Sequence, residues 1–170
     1  MARLVSYALG LALALGLHAV GAWLVPEMPR VLDLFLVVTV LNALSGSSAA
    51  GLFGGAAAGL THDALSGRLY GLHGFADTIV GYAVARAAQR LDLAGPGAVL
   101  VTLALATLLE EATLVLLALL LTDPQPPEPV WVVVEALANG AFGALVYAGA
   151  SRFTAFRDRA RKKRMSKIRL

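Results

Sequence analysis

The chain has 170 residues, of which 58% are hydrophobic and only 15% are charged, a composition that excludes an ordinary soluble domain and is typical of an integral membrane protein. It contains no cysteine, which excludes a disulfide framework, a thiolate nucleophile and a cysteine metal site. The formal charge of +3 is distributed unevenly, because residues 151–170 carry nine Lys or Arg and one Asp whereas residues 1–150 have a net charge of −5.

Apolar runs divide residues 1–150 into six predicted transmembrane helices with short loops, followed by a basic C-terminal tail at 151–170. The fold class is therefore predicted to be an all-α integral membrane protein. The first run, Leu4–Val25, would be about 33 Å long as a helix. A cleaved signal peptide with a site at Ala19-Val20-Gly21 is a competing interpretation, although the run is long for one. The predicted spans are 4–25, 31–45, 49–65, 70–88, 98–121 and 130–150.

The third and fourth spans are predicted to form a closely packed helical hairpin. In the third span Gly51, Gly55 and Gly59 recur every four residues and leave one helix face without side chains, ending at Asp63. The fourth span repeats the same four-residue step with other residues: His73, Asp77, Gly81 and Ala85. Small faces of this kind allow two helices to approach closely, so we expect the hairpin to be the packing centre.

Ionisable side chains inside the spans should face protein or water, because a carboxylate in lipid costs about 2.5 to 3.5 kcal/mol on insertion scales. Six lie in the outer half of their spans: Asp33, His62, Asp63, His73, Asp77 and Glu135. Glu110 and Glu111 lie near the middle of the fifth span and are expected to stand apart from the others. The six are expected to form a polar cluster open to the outer face, which either binds a ligand or a partner's helix or only holds the helices in register. The candidate residues for an intramembrane polar cluster or a partner contact are Asp33, Asp63, His73, Asp77, Glu110, Glu111 and Glu135.

Asp63 and Asp77 are expected to act in assembly, as hydrogen-bonding anchors between helices. An amide of the same shape should then retain much of the contact, whereas alanine should leave the opposing groups unpaired. A proton or ion path along these residues and the two glutamates is an alternative, although no pair of broken helices indicates a central binding site.

Sequence signatures of catalysis are absent. The chain has no Gly-x-Ser-x-Gly elbow, no His-Glu-x-x-His helix and no phosphate-binding Gly-x-x-x-x-Gly-Lys loop. His62 and Asp63 are adjacent, and adjacent side chains point about 100° apart on a helix, which disfavours a shared metal or acid–base site. The sequence therefore predicts no enzyme, no catalytic residue, no cofactor and no metal.

The distribution of basic residues predicts the topology. Arg3, Arg86, Arg90 and the tail fall on one side of a six-span arrangement, and Arg30 and Arg68 on the other. Since basic residues are retained in the cytoplasm, both termini are predicted to be cytoplasmic. The tail is either a disordered topology anchor or a continuation of the sixth helix along anionic lipid headgroups.

A family resemblance emerges from the hairpin motif. Asp33-Leu34 opens the second span, Gly59-Leu60-x-x-Asp63-x-x-Ser66-Gly67-x-x-x-Gly71-Leu72 crosses the hairpin turn, and Gly81-Tyr82 follows. In this order, and with this length and span layout, the chain resembles the rod shape-determining membrane protein MreD of bacteria. The proline-rich segment Asp123–Pro129 is not part of the matching pattern.

The resemblance implies a non-enzymatic subunit of the cell-elongation machinery in the bacterial cytoplasmic (inner) membrane, supporting peptidoglycan synthesis and cell shape. The implied partner is MreC, a single-span protein with a periplasmic domain. RodA, its transpeptidase partner and MreB filaments are implied beyond it, and nucleic acid is not.

A second interpretation comes from a different class of protein. Substrate-binding membrane subunits of energy-coupling-factor vitamin transporters are similar in size and span number. Ala8, Ala12 and Gly16 form a ladder of small residues in the first span that such a subunit could use to dock its transport partner, or that serves ordinary helix packing. The outer loops contain few aromatic and polar residues for a vitamin pocket, so this interpretation ranks second.

Overall fold

The computed structural model describes residues 2–67, 69–121 and 128–168, with side chains described for 3–67, 69–121 and 128–157. The described residues are all-helical, as predicted: α1 (Ala2–Leu24), α2 (Met28–Val31), α3 (Leu34–Ser45), α4 (Ser48–Ser66), α5 (Leu72–Ala88), α6 (Pro96–Leu121) and α7 (Pro129–Ile168). Arg68, which entered the topology prediction, lies outside the described residues, as do residues 123–127 of the proline-rich segment and the side chains of the tail from residue 158 onward.

Three of the described helices are long and apolar enough to cross a membrane, over Arg3–Leu24, Pro96–Leu121 and Pro129–Arg157. These helices indicate a membrane protein. α3 has only 12 residues, or about 18 Å, and is shorter than the roughly 30 Å hydrocarbon core. α4 and α5 are less apolar because glycine, serine, histidine and aspartate occupy many of their positions.

The start of α3 is determined by prolines and an aspartate. α1 ends at Leu24, and Pro29 lies in the first turn of the short helix α2. Asp33 then caps α3, because its side chain accepts hydrogen bonds from the N–H groups of Phe35 and Leu36 at 2.8 and 3.0 Å. The second predicted span, placed from residue 31, thus corresponds to a helix that begins at Leu34.

α3 is the central element of the bundle, since it contacts α1, α4, α5, α6 and α7. Its residues Phe35, Leu36, Val40 and Ala43 are completely buried. The contact between α4 and α5 is the most extensive between two helices. The packing centre therefore consists of this hairpin and α3, whereas the sequence pointed to the hairpin alone.

The helices α4 and α5 pack backbone against backbone. Three glycines of α4 lie against main-chain carbonyl groups of α5: Gly51 against Gly81, Gly55 against Asp77, and Gly59 against His73. A Cβ atom on any of them would overlap the facing carbonyl group. Between α6 and α7, Gly140 lies against the main-chain carbonyl of Leu100, whereas Gly143 lies against the side chain of Leu103.

The two terminal helices are less enclosed than α3. α1 turns Ala14 and His18 inward, whereas Ala8, Ala12 and Gly16 are exposed. α7 continues without a break from Pro129 to Ile168, so that no helix end marks the predicted boundary between the sixth span and the tail.

Candidate functional site

The three histidines of the chain come together inside the bundle. The ring of His62 lies 4.0 Å from that of His73 and 5.7 Å from that of His18, measured between centroids. Phe35 stacks on His62 at 5.1 Å. Residues of α1, α3, α4 and α5 thereby enclose one aromatic and imidazole group.

Asp63 joins the two helices of the hairpin at its turn. Its Oδ2 accepts hydrogen bonds from the N–H groups of Gly71 and Gly74 at 2.8 and 3.0 Å. Its Oδ1 accepts from the N–H of His73 at 3.0 Å and lies 2.9 Å from the Nδ1 of the same residue. Gly71, at the N-cap position of α5, provides no side chain for capping, so this carboxylate of α4 satisfies the free N–H groups at the start of α5.

Asp33 connects four helices. Its Oδ1 caps α3, and its Oδ2 lies 3.2 Å from the Nδ1 of His62 on α4. Its own N–H donates to the Oδ1 of Asn139 on α7 at 2.8 Å, and the amide nitrogen of Asn139 donates to Thr107 on α6 at 3.0 Å. Asp33, Thr107 and Asn139 are buried, and their hydrogen bonds hold α3, α6 and α7 in one register, with the ion-pair contact to His62 adding α4.

Glu110 belongs to the same group. It is 2% exposed, and one potential ligand atom each from His62, His73 and Glu110 lie within 4.8 Å of one another. The expectation that Glu110 stands apart was wrong, for a geometric reason. His73 lies 15 residues before the end of α5 and Glu110 lies 14 residues after the start of α6, so both are about 22 Å from the segment that joins these helices.

Asp77 is completely buried one turn beyond His73. Among the described residues, neither carboxylate oxygen of Asp77 has a hydrogen-bond partner. The Oε1 of Glu110 has none either. Buried charge without partners is strongly unfavourable, so a proton or a cation has to neutralise these carboxyl groups.

Glu111 and Glu135 form a second, smaller group between α6 and α7. Their carboxyl groups are within hydrogen-bonding reach of each other, and Asn139 also interacts with Glu135. Both residues are half-buried. Adjacent residues on a helix point in different directions, which is why Glu111 turns toward α7 while Glu110 turns toward α5.

Several residues of the site were not in the predicted cluster: His18, Phe35, Thr107 and Asn139. His18 was the single ionisable residue in an apolar span, which is a usable signal. Asn139 follows Glu135 by four residues and shares its helix face. Phe35 and Thr107 are common residues in apolar helices and gave no signal.

The residues of the family motif build the hairpin turn. Gly59 allows the close approach of α5, Asp63 caps α5, and the hydroxyl of Ser66 donates to the carbonyl of Asp63 at 3.2 Å. Gly67 and Gly71 adopt φ values of 62° and 103°, which favour glycine. The motif therefore encodes the tight turn between α4 and α5 and the position of the Asp63 carboxylate.

Residues 2–125 of the chain match the family model described as rod shape-determining protein MreD. This match confirms the resemblance drawn from the motif and favours it over the vitamin-transporter interpretation. No curated protein and no solved structure matches the chain.

Proposed function

The chain belongs to the MreD family of rod shape-determining proteins, and we propose that it is a non-enzymatic membrane subunit of the bacterial cell-elongation machinery that binds MreC. Family membership implies the role in rod shape. The match to the family model over residues 2–125 is the observation that carries this proposal. RodA, its transpeptidase partner and MreB are the further partners that the family suggests.

The proposal includes a topology of six spans, namely α1 and α3 to α7. Basic residues support it, since Arg3, Arg86, Arg90 and the tail lie on the side proposed to be cytoplasmic. Aromatic residues at the proposed external side also support this topology. Trp23, Tyr70 and Trp131 lie at helix ends that would be external, as expected for side chains at a membrane interface. The guanidinium of Arg30 lies 4.3 Å from the ring of Trp131 at the same end.

In this topology α3 crosses only part of the bilayer. A short helix is tolerated there because α3 is surrounded by α1, α4, α5, α6 and α7. At its start, the Asp33 carboxylate accepts from the N–H groups of Phe35 and Leu36, and Asn139 accepts from the N–H of Asp33, so these groups are satisfied by protein. The polar helices α4 and α5 fit the same arrangement, because Asp63, His73 and Asp77 are buried inside the bundle.

We place the MreC contact on α1. The ladder Ala8, Ala12 and Gly16 is exposed, and no atom of the described residues lies within 4 Å of a Cβ built on Gly16. The glycine faces of α4 and α7, in contrast, are already covered by α5 and α6. Ladders of small residues support close packing of membrane helices, so a single-span partner can pack here without moving any helix of this chain.

The tail of the proposed subunit has a separate surface for lipid. Phe153 and Phe156 are exposed where α7 leaves the proposed span, and the guanidinium of Arg157 lies 5.9 Å from the ring of Phe153. Aromatic rings beside a strongly basic segment favour anionic headgroups at the membrane surface.

Co-purification with MreC of the same organism tests the α1 contact. A Gly16→Leu variant adds a large side chain to the ladder, and we expect it to lose at least about nine tenths of the bound MreC, or about 1.4 kcal/mol. The matched control is Gly149→Leu, since Gly149 is also an exposed helical glycine, and no atom of the described residues lies within 4 Å of a Cβ built on it. Equal MreC binding by the two variants would place the contact elsewhere.

A further inference from the structure

A group of three ligand-type side chains from neighbouring helices has the composition of a metal site. His62, His73 and Glu110 come from α4, α5 and α6, and one potential ligand atom from each lies within 4.8 Å of the others. In tetrahedral coordination with bonds of about 2.0–2.2 Å, ligand atoms are about 3.3–3.6 Å apart. Small side-chain rotations therefore bring the three atoms onto one ion.

Both imidazole rings have a carboxylate beside Nδ1, by a hydrogen bond at His73 and at ion-pair distance at His62, as metal-binding histidines usually do. The Nδ1 of His73 lies 2.9 Å from the Oδ1 of Asp63, and the Nδ1 of His62 lies 3.2 Å from the Oδ2 of Asp33. A carboxylate at Nδ1 fixes the ring and its tautomer and makes Nε2 the coordinating atom. Asp63 and Asp33 are themselves fixed by main-chain N–H groups, so each carboxylate is held where it can orient its ring.

The charges around the three residues also fit a cation. Glu110 and Asp77 are buried, and the Oε1 of Glu110 and both carboxylate oxygens of Asp77 have no hydrogen-bond partner among the described residues. Asp77 and Asp33 lie within electrostatic range of Glu110. A divalent ion bound by two neutral imidazoles and one carboxylate keeps a net positive charge, and Asp77 can balance it without being a ligand.

From this arrangement we propose that His62, His73 and Glu110 bind a divalent transition-metal ion of the zinc type, which joins α4, α5 and α6. Two imidazoles and one carboxylate are a donor set that Zn²⁺ takes. The ion has a route to the site, because the side chain of His62 is 12% exposed and lies one turn before the end of α4. This inference concerns the bundle itself and does not depend on MreC binding.

Metal analysis of the full chain in detergent tests the proposal. The protein carries an affinity tag without histidine, is incubated with Zn²⁺, freed of excess metal by gel filtration and analysed by mass spectrometry. We expect about one zinc ion per chain, and at least tenfold less in Glu110→Gln and in His73→Gln. The matched control is His18→Gln, because His18 is a buried imidazole of the same cluster but lies outside the proposed ligand set. The His18→Gln variant should retain the metal.

A second measurement avoids variants that fail to fold. Co²⁺ bound to the unaltered protein should give the intense visible absorption of a tetrahedral nitrogen and oxygen site, and one equivalent of Zn²⁺ should remove it. Unaltered, monodisperse protein that binds neither ion would overturn the proposal. Equal zinc in Glu110→Gln and the unaltered chain would also overturn it, as would loss of the metal from His18→Gln alone.

Discussion

Asp63 and Asp77 are aspartates on neighbouring helices, but their carboxylates differ in their hydrogen-bond partners. The two oxygens of Asp63 accept hydrogen bonds from three main-chain N–H groups at 2.8–3.0 Å and lie beside the Nδ1 of His73. Asp77 has no hydrogen-bond partner for its carboxylate among the described residues. For Asp63 we therefore revise the expectation that an amide of the same shape would retain much of the contact.

Asp63→Asn should destabilise the protein, by about 1 to 3 kcal/mol, because the amide NH₂ would face an N–H group and leave it unpaired. Asp77→Asn is the matched control and should change stability by less than about 1 kcal/mol, since it exchanges one unpartnered buried group for another of the same shape. The measurement is thermal unfolding of the purified proteins in detergent. If both variants lose the same stability, the carboxylate of Asp63 is not the cap of α5.

Some residues of the site can be recognised from the sequence, whereas the contacts between them cannot. Asp33, Asp63, His73 and Asp77 are recognisable because charge is rare in apolar helices. Glu110 meets His62 and His73 because α5 and α6 differ in length. Glu110 is near the middle of its predicted span and His73 is near the start of its own, so their positions within the spans do not reveal the contact. The spacing of His62 and Asp63 along one helix likewise disfavoured a metal or acid–base site made of these two residues. It could not show that residues from three different helices approach one another.

The hairpin of α4 and α5 follows from a four-residue glycine step, whereas the role of α3 does not follow from its sequence. Gly51, Gly55 and Gly59 predict a face without side chains, and this face lies against the backbone of α5. The apolar run of α3 is short in the sequence. Its burial comes from contacts with five other helices, and these are properties of the assembled bundle.

Gly55→Ala should separate the hairpin, because the new methyl group would overlap the main-chain carbonyl of Asp77. Overpacking of this kind costs about 1 to 3 kcal/mol. The matched control is Gly97→Ala in the first turn of α6, where no atom of the described residues lies within 4 Å of the added group. We expect this control to be neutral or slightly stabilised. Thermal unfolding and the yield of membrane-inserted protein measure both, and a stable Gly55→Ala variant would contradict the close approach.

The bundle combines a polar centre that is packed on all sides with a first helix whose outer face is exposed. The buried histidines and carboxylates hold α3 to α7 together through Asp33, Asp63 and Asn139. α1 in contrast keeps its small-residue ladder exposed. This division between a packed centre and an exposed helix fits the proposed role of a subunit that acts by binding a partner.

Rescue of cell shape tests this role most directly. Cells of the source bacterium, depleted of their native copy of this protein, should regain rod shape when the unaltered chain or Gly149→Leu is expressed. Gly16→Leu should leave them rounded although it reaches the membrane at the same level, because its bundle is intact and its α1 ladder is blocked. Full rescue by Gly16→Leu, or no rescue by the unaltered chain at normal membrane levels, would contradict the account.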